Sequence, residues 1–499
     1  MSAQRLTYRF GPLDRRGILG PLRAGQAVVL GLGTLLAIAV VDGAPSPPGA
    51  LAAMVLLGAA GAIAFVPIAS RSLVEWMPIV CRFAGRRLLG RARVRSPVPA
   101  AGVAGRRRTA SAALALDPAE PAPPPALEGA RIAEITYRER PLGAVCERDD
   151  RLLTAVIACR VVTFSLLDPE AQERRLARWG LVLSGAAGPA IRRIQWVERT
   201  APAQGDELAR WLAAERDPAV PLRGTPMIES YLELIGSTTR ATQDHEILLA
   251  VQVDARRVRD RSRGAAARAL VDEAERVATG LEAAGVTVLG ALGPRQLARA
   301  LRTAFDPYSR AELAALETAD PAREGLDEAN AWPLGAEEGW DHYRCDGALH
   351  ATYWIGGWPR TEVSPMFMDA LLGGSSTVRA VAVTFEPISA DRSRRDVEAA
   401  VTRERADVDL RRRFGQSETA RQRQAQEATM RRESEIAAGH AEVRLSGFVT
   451  VSGRDADDLR RASSEVLEHA ARARLELHSM YGQQADAFTF TLPLCRGLA

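Results

Sequence analysis

The sequence predicts an α+β protein carried on two N-terminal transmembrane helices, and three observations predict it. Two apolar runs free of charge, Ala24 to Val41 and Gly49 to Ser70, stand near the N-terminus on either side of the turn-forming stretch DGAPSPP. Beyond a Pro- and Ala-rich stretch, the hydrophobic period switches repeatedly between that of a strand and that of a helix. Two long patterns rich in arginine and glutamate then interrupt the second half, between positions 390 and 439.

Each apolar run is close to the roughly 20 residues that cross the hydrocarbon layer. A cleaved signal peptide fits poorly, because a second span follows at once and Asp42 with the prolines makes a poor cleavage site. Arg5, Arg9, Arg15, Arg16 and Arg23 precede the first span, and Arg71, Arg82, Arg86, Arg87, Arg91, Arg93 and Arg95 follow the second. The turn between them has none, so the positive-inside rule puts both termini and the large body in the cytosol, at the inner (cytoplasmic) membrane. Trp76 is expected to anchor the second span at the interface. The basic segment from Arg82 to Arg108 is expected to lie against an anionic lipid membrane, at about 1 kcal/mol per arginine near the surface.

The chain divides accordingly into a basic tail (1–23), a transmembrane hairpin (24–70), and a juxtamembrane segment with the linker LDPAEPAPPPALEG (71–129). A first cytosolic unit (130–315) opens with strands at Arg131 to Arg138 and Leu152 to Phe164. Asp168-Pro169 then supplies an N-cap and a first helical position. The strand IRRIQWVE, helices at Leu208 to Glu215 and Pro226 to Leu234, a strand from Glu246 to Val253, a helix from Arg263 to Ala284, VTVLGAL and a helix from Pro294 to Phe305 complete it. Residues 316–339 read as a linker. The second unit (340–499) has strands at Gly347 to Ile355 and Thr377 to Phe385, two helices in 390–439 broken near Gly415 and Ser417, the strand EVRLSGFVTV, a helix from Asp455 to Ala473, and strands at Leu475 to Leu477 and Ala487 to Leu492. The expected architecture is two ferredoxin-like or βαβ-type units with an inserted helical hairpin.

Composition narrows the chemistry. The 65 basic residues are all arginine, balanced by 61 acidic ones to a net +4. Without lysine there is no P-loop phosphate contact and no Schiff base, so an ATPase of the P-loop kind is excluded. The five cysteines are scattered without a CxxC pair, which fits a reducing cytosol rather than a disulfide framework or zinc ribbon. His342, Cys345 and His350 have ligand chemistry, but their spacing matches no established metal site. No HExxH, GxSxG or dinucleotide fingerprint is present, and no cofactor is expected. Arg394, Arg395, Arg411, Arg412 and Arg413 of the hairpin are interleaved with acidic residues, which disfavours direct nucleic-acid binding and favours a solvated or partner-docking helix. Trp340, Tyr343, Trp354 and Trp358 form an aromatic-rich stretch, expected at a core edge or an interface.

The stretches LTYRFGPLDRRGILGPLRAGQ, LRTAFDPYSR, EEGWDHYRCDGALHATYWIGGWPRTEV, AEVRLSGFVTV and LHSMYGQQADAFTFTLPLCRGL resemble an actinobacterial family of membrane proteins encoded in conjugation-type gene clusters. Cys345 and Cys495 depart from that pattern, where threonine and glycine are expected. The ending YGQQADAFTFTLPL is similar to the membrane-side portion of type IV secretion ATPases of the TraC class, in which a motor domain follows. The sequence stops at Ala499, where the motor would begin. The resemblance therefore implies a split system with a separate P-loop ATPase. The layout is also similar to EccE of type VII secretion.

The sequence thus reads as a non-catalytic membrane scaffold subunit of a type IV-like secretion or conjugation machine. Its expected partners are a separate ATPase, polytopic channel subunits and a second copy of itself. The hairpin arginines and the aromatic stretch are the candidate surfaces. The alternatives are an EccE-like type VII translocon component, a membrane-tethered enzyme and a DNA-handling subunit.

Overall fold

The computed structural model describes residues 24–43, 45–68, 71–95, 122–137, 140–160, 167–188, 190–202, 226–227, 230, 243–319, 325–359, 361–373, 377–413, 420–437 and 442–497. Helices α1 (Ala24–Gly43) and α2 (Pro47–Phe65) are long and apolar enough to cross a membrane. They pack on each other, and Gln26 Nε2 donates to the Ala64 carbonyl at 2.9 Å. Helix α3 (Leu73–Leu88) follows, with Glu75 folded back to accept from the Ser72 amide.

A 13-stranded sheet forms the body. Its strands are β1 (Arg93–Arg95), β2 (Arg131–Tyr137), β3 (Arg140–Glu147), β4 (Leu152–Arg160), β5 (Ile191–Pro202), β6 (Gln243–Asp254) and β7 (Thr287–Ala291). After these come β8 (Gly335–Glu338), β9 (Tyr343–Cys345), β10 (Ala348–Gly357), β11 (Val378–Pro387), β12 (Val443–Gly453) and β13 (Glu476–Ser479). The spatial order is β1-β8-β9-β10-β12-β11-β5-β6-β4-β3-β2, with β7 beside β4 and β13 beside β10, and every pairing is antiparallel.

This order resolves into one motif used twice. In the first half, hairpin β2-β3 precedes β4, α4 (Pro169–Gly185), β5, β6, α5 (Ala265–Ala283) and β7; in space these strands run β7-β4-β6-β5. In the second, hairpin β8-β9 precedes β10, α8 (Asp369–Leu372), β11, β12, α11 (Ala456–Arg472) and β13, arranged β13-β10-β12-β11. The halves join edge to edge where β5 pairs β11, from Ile194↔Phe385 to Thr200↔Arg379. Helix α6 (Pro294–Phe305) follows β7, with α7 (Arg310–Ala319) after it, and α12 (Gln484–Phe488) follows β13.

Three cores result. In one half Leu270 and Leu281 of α5 pack on Leu249 and Val251 of the sheet; in the other Val466 of α11 packs on Val449 and Val451. The opposite face of the sheet is shared by both halves, where Leu297, Leu301 and Phe305 of α6 meet Phe488, Leu492 and Leu494. Here each half reaches into the other. Arg302 forms an ion pair with Asp346 in the β9-β10 turn at 2.7 Å, while Arg496 pairs with Glu147 at the end of β3 at 2.8 Å.

Several expectations are corrected. Residues 316–339 are not wholly loop, since α7 runs to Ala319 and β8 pairs β1 and β9. Strand β3 was not legible, because Pro141 and Gly143 break its pattern. Ala487 to Leu492 is not a strand. It is the end of α12, a 3-10 turn (Thr489–Thr491), and a tail whose Leu494 and Cys495 amides donate to Gln195 Oε1 at 3.0 and 2.8 Å. Buried Gln195 gives these amides the acceptor that a strand partner would otherwise supply. Asp168 caps α4 as expected, accepting from the Ala171 amide at 2.7 Å. The helices expected at Leu208 to Glu215 and Pro226 to Leu234 fall almost entirely outside the described residues.

Candidate docking surfaces

Within the aromatic stretch, Trp340 packs against the chain's own juxtamembrane helix. Trp76, Ile79, Phe83 and Arg86 recur at helical spacing along α3 and face the body. Trp76 stacks on Trp340 with ring centroids 5.8 Å apart, Phe83 meets Trp340 edge-on at 5.2 Å, and Tyr481 lies against both tryptophans, 6.1 Å from Trp76 and 6.4 Å from Trp340. Such pairs add about 0.5–1.5 kcal/mol each beyond their buried area. Trp76 therefore faces the body rather than the lipid interface expected of it.

Charge fixes the orientation of this contact. Arg86 reaches Asp486 and Glu338, both at 3.0 Å, and donates to the Gly482 carbonyl. Burial pushes the Glu338 carboxyl above its ordinary range, and Arg86 opposes that shift. Gly482 sits at φ +66, and a Cβ there would come within 2.7 Å of the Trp340 ring, so the glycine admits both the turn and the close approach. Beyond α3, β1 extends the sheet by pairing β8, with Arg93 bound to Glu337. Thus Arg86 and Arg93, expected against lipid headgroups, are paired with acidic residues of the body. The segment from 96 to 108 lies outside the described residues.

The remaining candidate residues do not converge. Tyr343 is 3 % exposed, in the core against Phe488, so it cannot form a docking surface. Trp354 lies on β10 beside His478 of β13, and Trp358 packs over Gly447. Arg394 and Arg395 are exposed on α9 (Ala390–Arg413), where Arg394 pairs with Asp391. Arg411, Arg412 and Arg413 end that helix, and their side chains lie outside the described residues. Helix α9 contacts α10 (Ala420–Ala437), and the hairpin's base is held where Ser393 and Arg432 both bind Glu442.

His342, Cys345 and His350 are not assembled into a site. His350 is buried: Nδ1 lies 2.8 Å from Ser452 Oγ and Nε2 2.9 Å from the Phe305 carbonyl, which fixes Nε2 as the donor. Burial lowers its pKa to about 4, so it is a neutral strut beneath α6. Cys345 is buried, and His342 is exposed beside Asp341. Among the described residues no group of three or more His, Cys, Asp or Glu could hold a metal.

A further surface lies outside the candidate residues. Between α4 and α5 lies an apolar groove of about 740 Å³, lined by Leu181, Val182, Ala186, Val277, Gly280 and Ala283 and rimmed by Arg178 and Arg276. Leu181 is 69 % exposed at its edge. A leucine on the polar side of an otherwise charged α4 was the signal available for it.

Comparison with known proteins agrees with part of this picture. Residues 241–355 match the family described as "Putative type VII ESX secretion system translocon, EccE". The matched segment runs from β6 through α5, β7, α6 and α7 into β10, and so spans the passage from one half to the other. No curated protein matches the chain. The chain thus combines two helices long and apolar enough to cross a membrane with a segment similar to a secretion-system translocon family.

Proposed function

We propose that the chain is a non-catalytic, membrane-anchored subunit of a type VII ESX-like translocon, with both termini and the body on the cytosolic side. The observation that carries this reading is the EccE match over 241–355, in a chain whose two apolar helices lead directly into a helix clamped on the body. The match favours type VII over the type IV-like machine that the ending YGQQADAFTFTLPL resembles. Each half is read as a ferredoxin-like unit, supported by its βαββαβ sequence and strand order. The units are assigned to 130–315 and 340–499.

The role follows from the joint. A body held firmly to its anchor presents its outer surfaces at a fixed attitude to the membrane. A separate ATPase docked there is retained near the channel entrance at raised effective concentration. The α9-α10 hairpin and the α4-α5 groove are the surfaces offered. Catalysis is not part of the proposal: the chain lacks lysine and every catalytic motif sought, and its buried His350 has both nitrogens engaged.

Affinity purification of the tagged full-length protein from native membranes, with partners identified by mass spectrometry, tests this. Recovery of type VII core components is expected. A conjugation-type ATPase with polytopic channel proteins would return the assignment to a type IV-like machine. The protein alone, after crosslinking under gentle detergent, would refute the scaffold role.

A further inference from the structure

Helix α3 has two apolar faces, and only one is used by the body. About a third of a turn round the helix from Trp76, Ile79 and Phe83 runs a second stripe: Leu73, Met77, Val80, Ala84 and Leu88, at helical spacing over four turns. All five are exposed, Met77 at 64 % and Leu88 at 87 %. Exposed Arg87 flanks the stripe, and exposed Arg91 follows the end of the helix. The helix's one acidic residue, Glu75, is turned back onto the Ser72 amide. The helix begins at the foot of the spans, with Val74 against Gly25 at the start of α1, and it contacts α2 as well.

We propose that α3 is an interfacial helix. Its outer stripe is sunk in the acyl-headgroup boundary of an anionic bilayer, its arginines lie among the phosphates, and its inner face carries the body. Three observations select lipid as the occupant. The stripe follows directly on the apolar helices α1 and α2, which carry half of the exposed large hydrophobic residues among the described ones. The charges beside it are of one sign and match anionic headgroups. The body covers the neighbouring face through Trp76, Ile79 and Phe83, so the apolar face left exposed on α3 is this stripe. A helix of 16 residues held flat in this plane fixes the tilt of the body as well as its distance. A simple tether would fix only the distance. This inference rests on α1 and α2 being membrane spans.

The chain supplies its own reporter. Cys81 borders the stripe and is exposed, while Cys146, Cys159, Cys345 and Cys495 are buried. The full-length protein, spin-labelled at Cys81, is reconstituted in nanodiscs of phosphatidylcholine with and without phosphatidylglycerol. Collision with oxygen is then compared with collision with a water-soluble nickel chelate. Leu35→Cys in a Cys81→Ser background reports the span, and Arg394→Cys in the same background reports water.

The expected result is an oxygen-to-nickel ratio at Cys81 several-fold above that at position 394, rising further with phosphatidylglycerol. Met77→Asp should return Cys81 to the nickel-accessible state without unfolding the protein, since Met77 is 64 % exposed. If position 35 is oxygen-favoured but Cys81 behaves like position 394, α3 does not lie in the bilayer and the inference fails while the spans stand. If Cys81 collides with neither probe, protein covers the stripe and the lipid assignment is wrong. If position 35 is also nickel-accessible, the membrane reading itself fails, and this inference with it.

Discussion

The two halves of the body share one strand order but differ in what stands outside it. In the first half the crossover between β4 and β5 carries α4, of 17 residues, while in the second the crossover between β10 and β11 carries α8, of four. The long helix makes a two-helix layer with an open groove; the short one leaves α11 as the main cover. At the outer edges, β2 ends the sheet in the first half, whereas in the second β8 is paired by β1 from the juxtamembrane segment. One copy of the motif has thus become the seat of the anchor, and the other keeps a surface for something else. The pair works as a rigid joint because each half also clamps a turn or strand end of the other.

The sharpest way to break the comparison is at those clamps, which are reciprocal in position but unequal in burial. Arg302 is 2 % exposed with Asp346 as its charged partner, whereas Arg496 sits nearer the surface. Arg302→Ala should cost about 3–5 kcal/mol by leaving a carboxylate without its cation. Arg496→Ala should cost about 1–3 kcal/mol, the ordinary penalty for orphaning a buried polar group. Denaturant unfolding of the full-length protein in detergent measures both, and equal losses would mean that the clamps are symmetric after all.

Next is the strut under α6. His350 is neutral when folded, with its pKa lowered to about 4 from 6.5, so the unfolded chain binds the extra proton. Its share of stability is therefore full above pH 6.5 and is lost as pH falls from 6.5 toward 4, by about 3 kcal/mol. Unfolding followed across that window should show uptake of one proton, and His350→Gln should remove that dependence. A smaller effect is expected at Gly143 on β3, where a Cβ would lie 2.7 Å from the Gly293 carbonyl carbon at the start of α6. Gly143→Ala should cost about 1–3 kcal/mol through overpacking, read as a lowered unfolding midpoint. The smallest is at the groove: Leu181→Asp should change stability by no more than about 0.5 kcal/mol. In affinity purification the same variant should lose whichever partner the groove holds.

What the sequence disclosed, it disclosed through local rules. The two long apolar helices, the Asp168-Pro169 start of α4, the pair of helices α9 and α10 and the β-branched run of β4 each follow from signals in the local sequence. Long-range pairing left no such trace. Strand β3 was hidden by Pro141 and Gly143, residues placed there for an edge-like start and for the close approach of α6. The tail after Phe488 was mistaken for a strand because Thr and Phe favour strands, whereas its amides are satisfied by the side chain of Gln195, some 300 residues away. Nothing in the aromatic stretch announced that Trp340 would pack against α3. Trp76 and Trp340 belong together only because β1 and β8 pair, and no periodicity reports on that.

The joint between anchor and body is the central claim, and one crosslink tests it most directly. The Glu338 amide donates to the Ala92 carbonyl, so Arg93 and Glu337, one step along β1 and β8, form a non-hydrogen-bonded pair with Cα atoms about 4.5 Å apart. That spacing accepts a disulfide. Arg93→Cys/Glu337→Cys in a Cys81→Ser background should close an intramolecular bridge in native membranes, seen as a mobility shift on a non-reducing gel and lost on reduction. Two free thiols that alkylate fully under the same oxidation would mean that the juxtamembrane segment is not part of the sheet and that the body hangs on a loose tether.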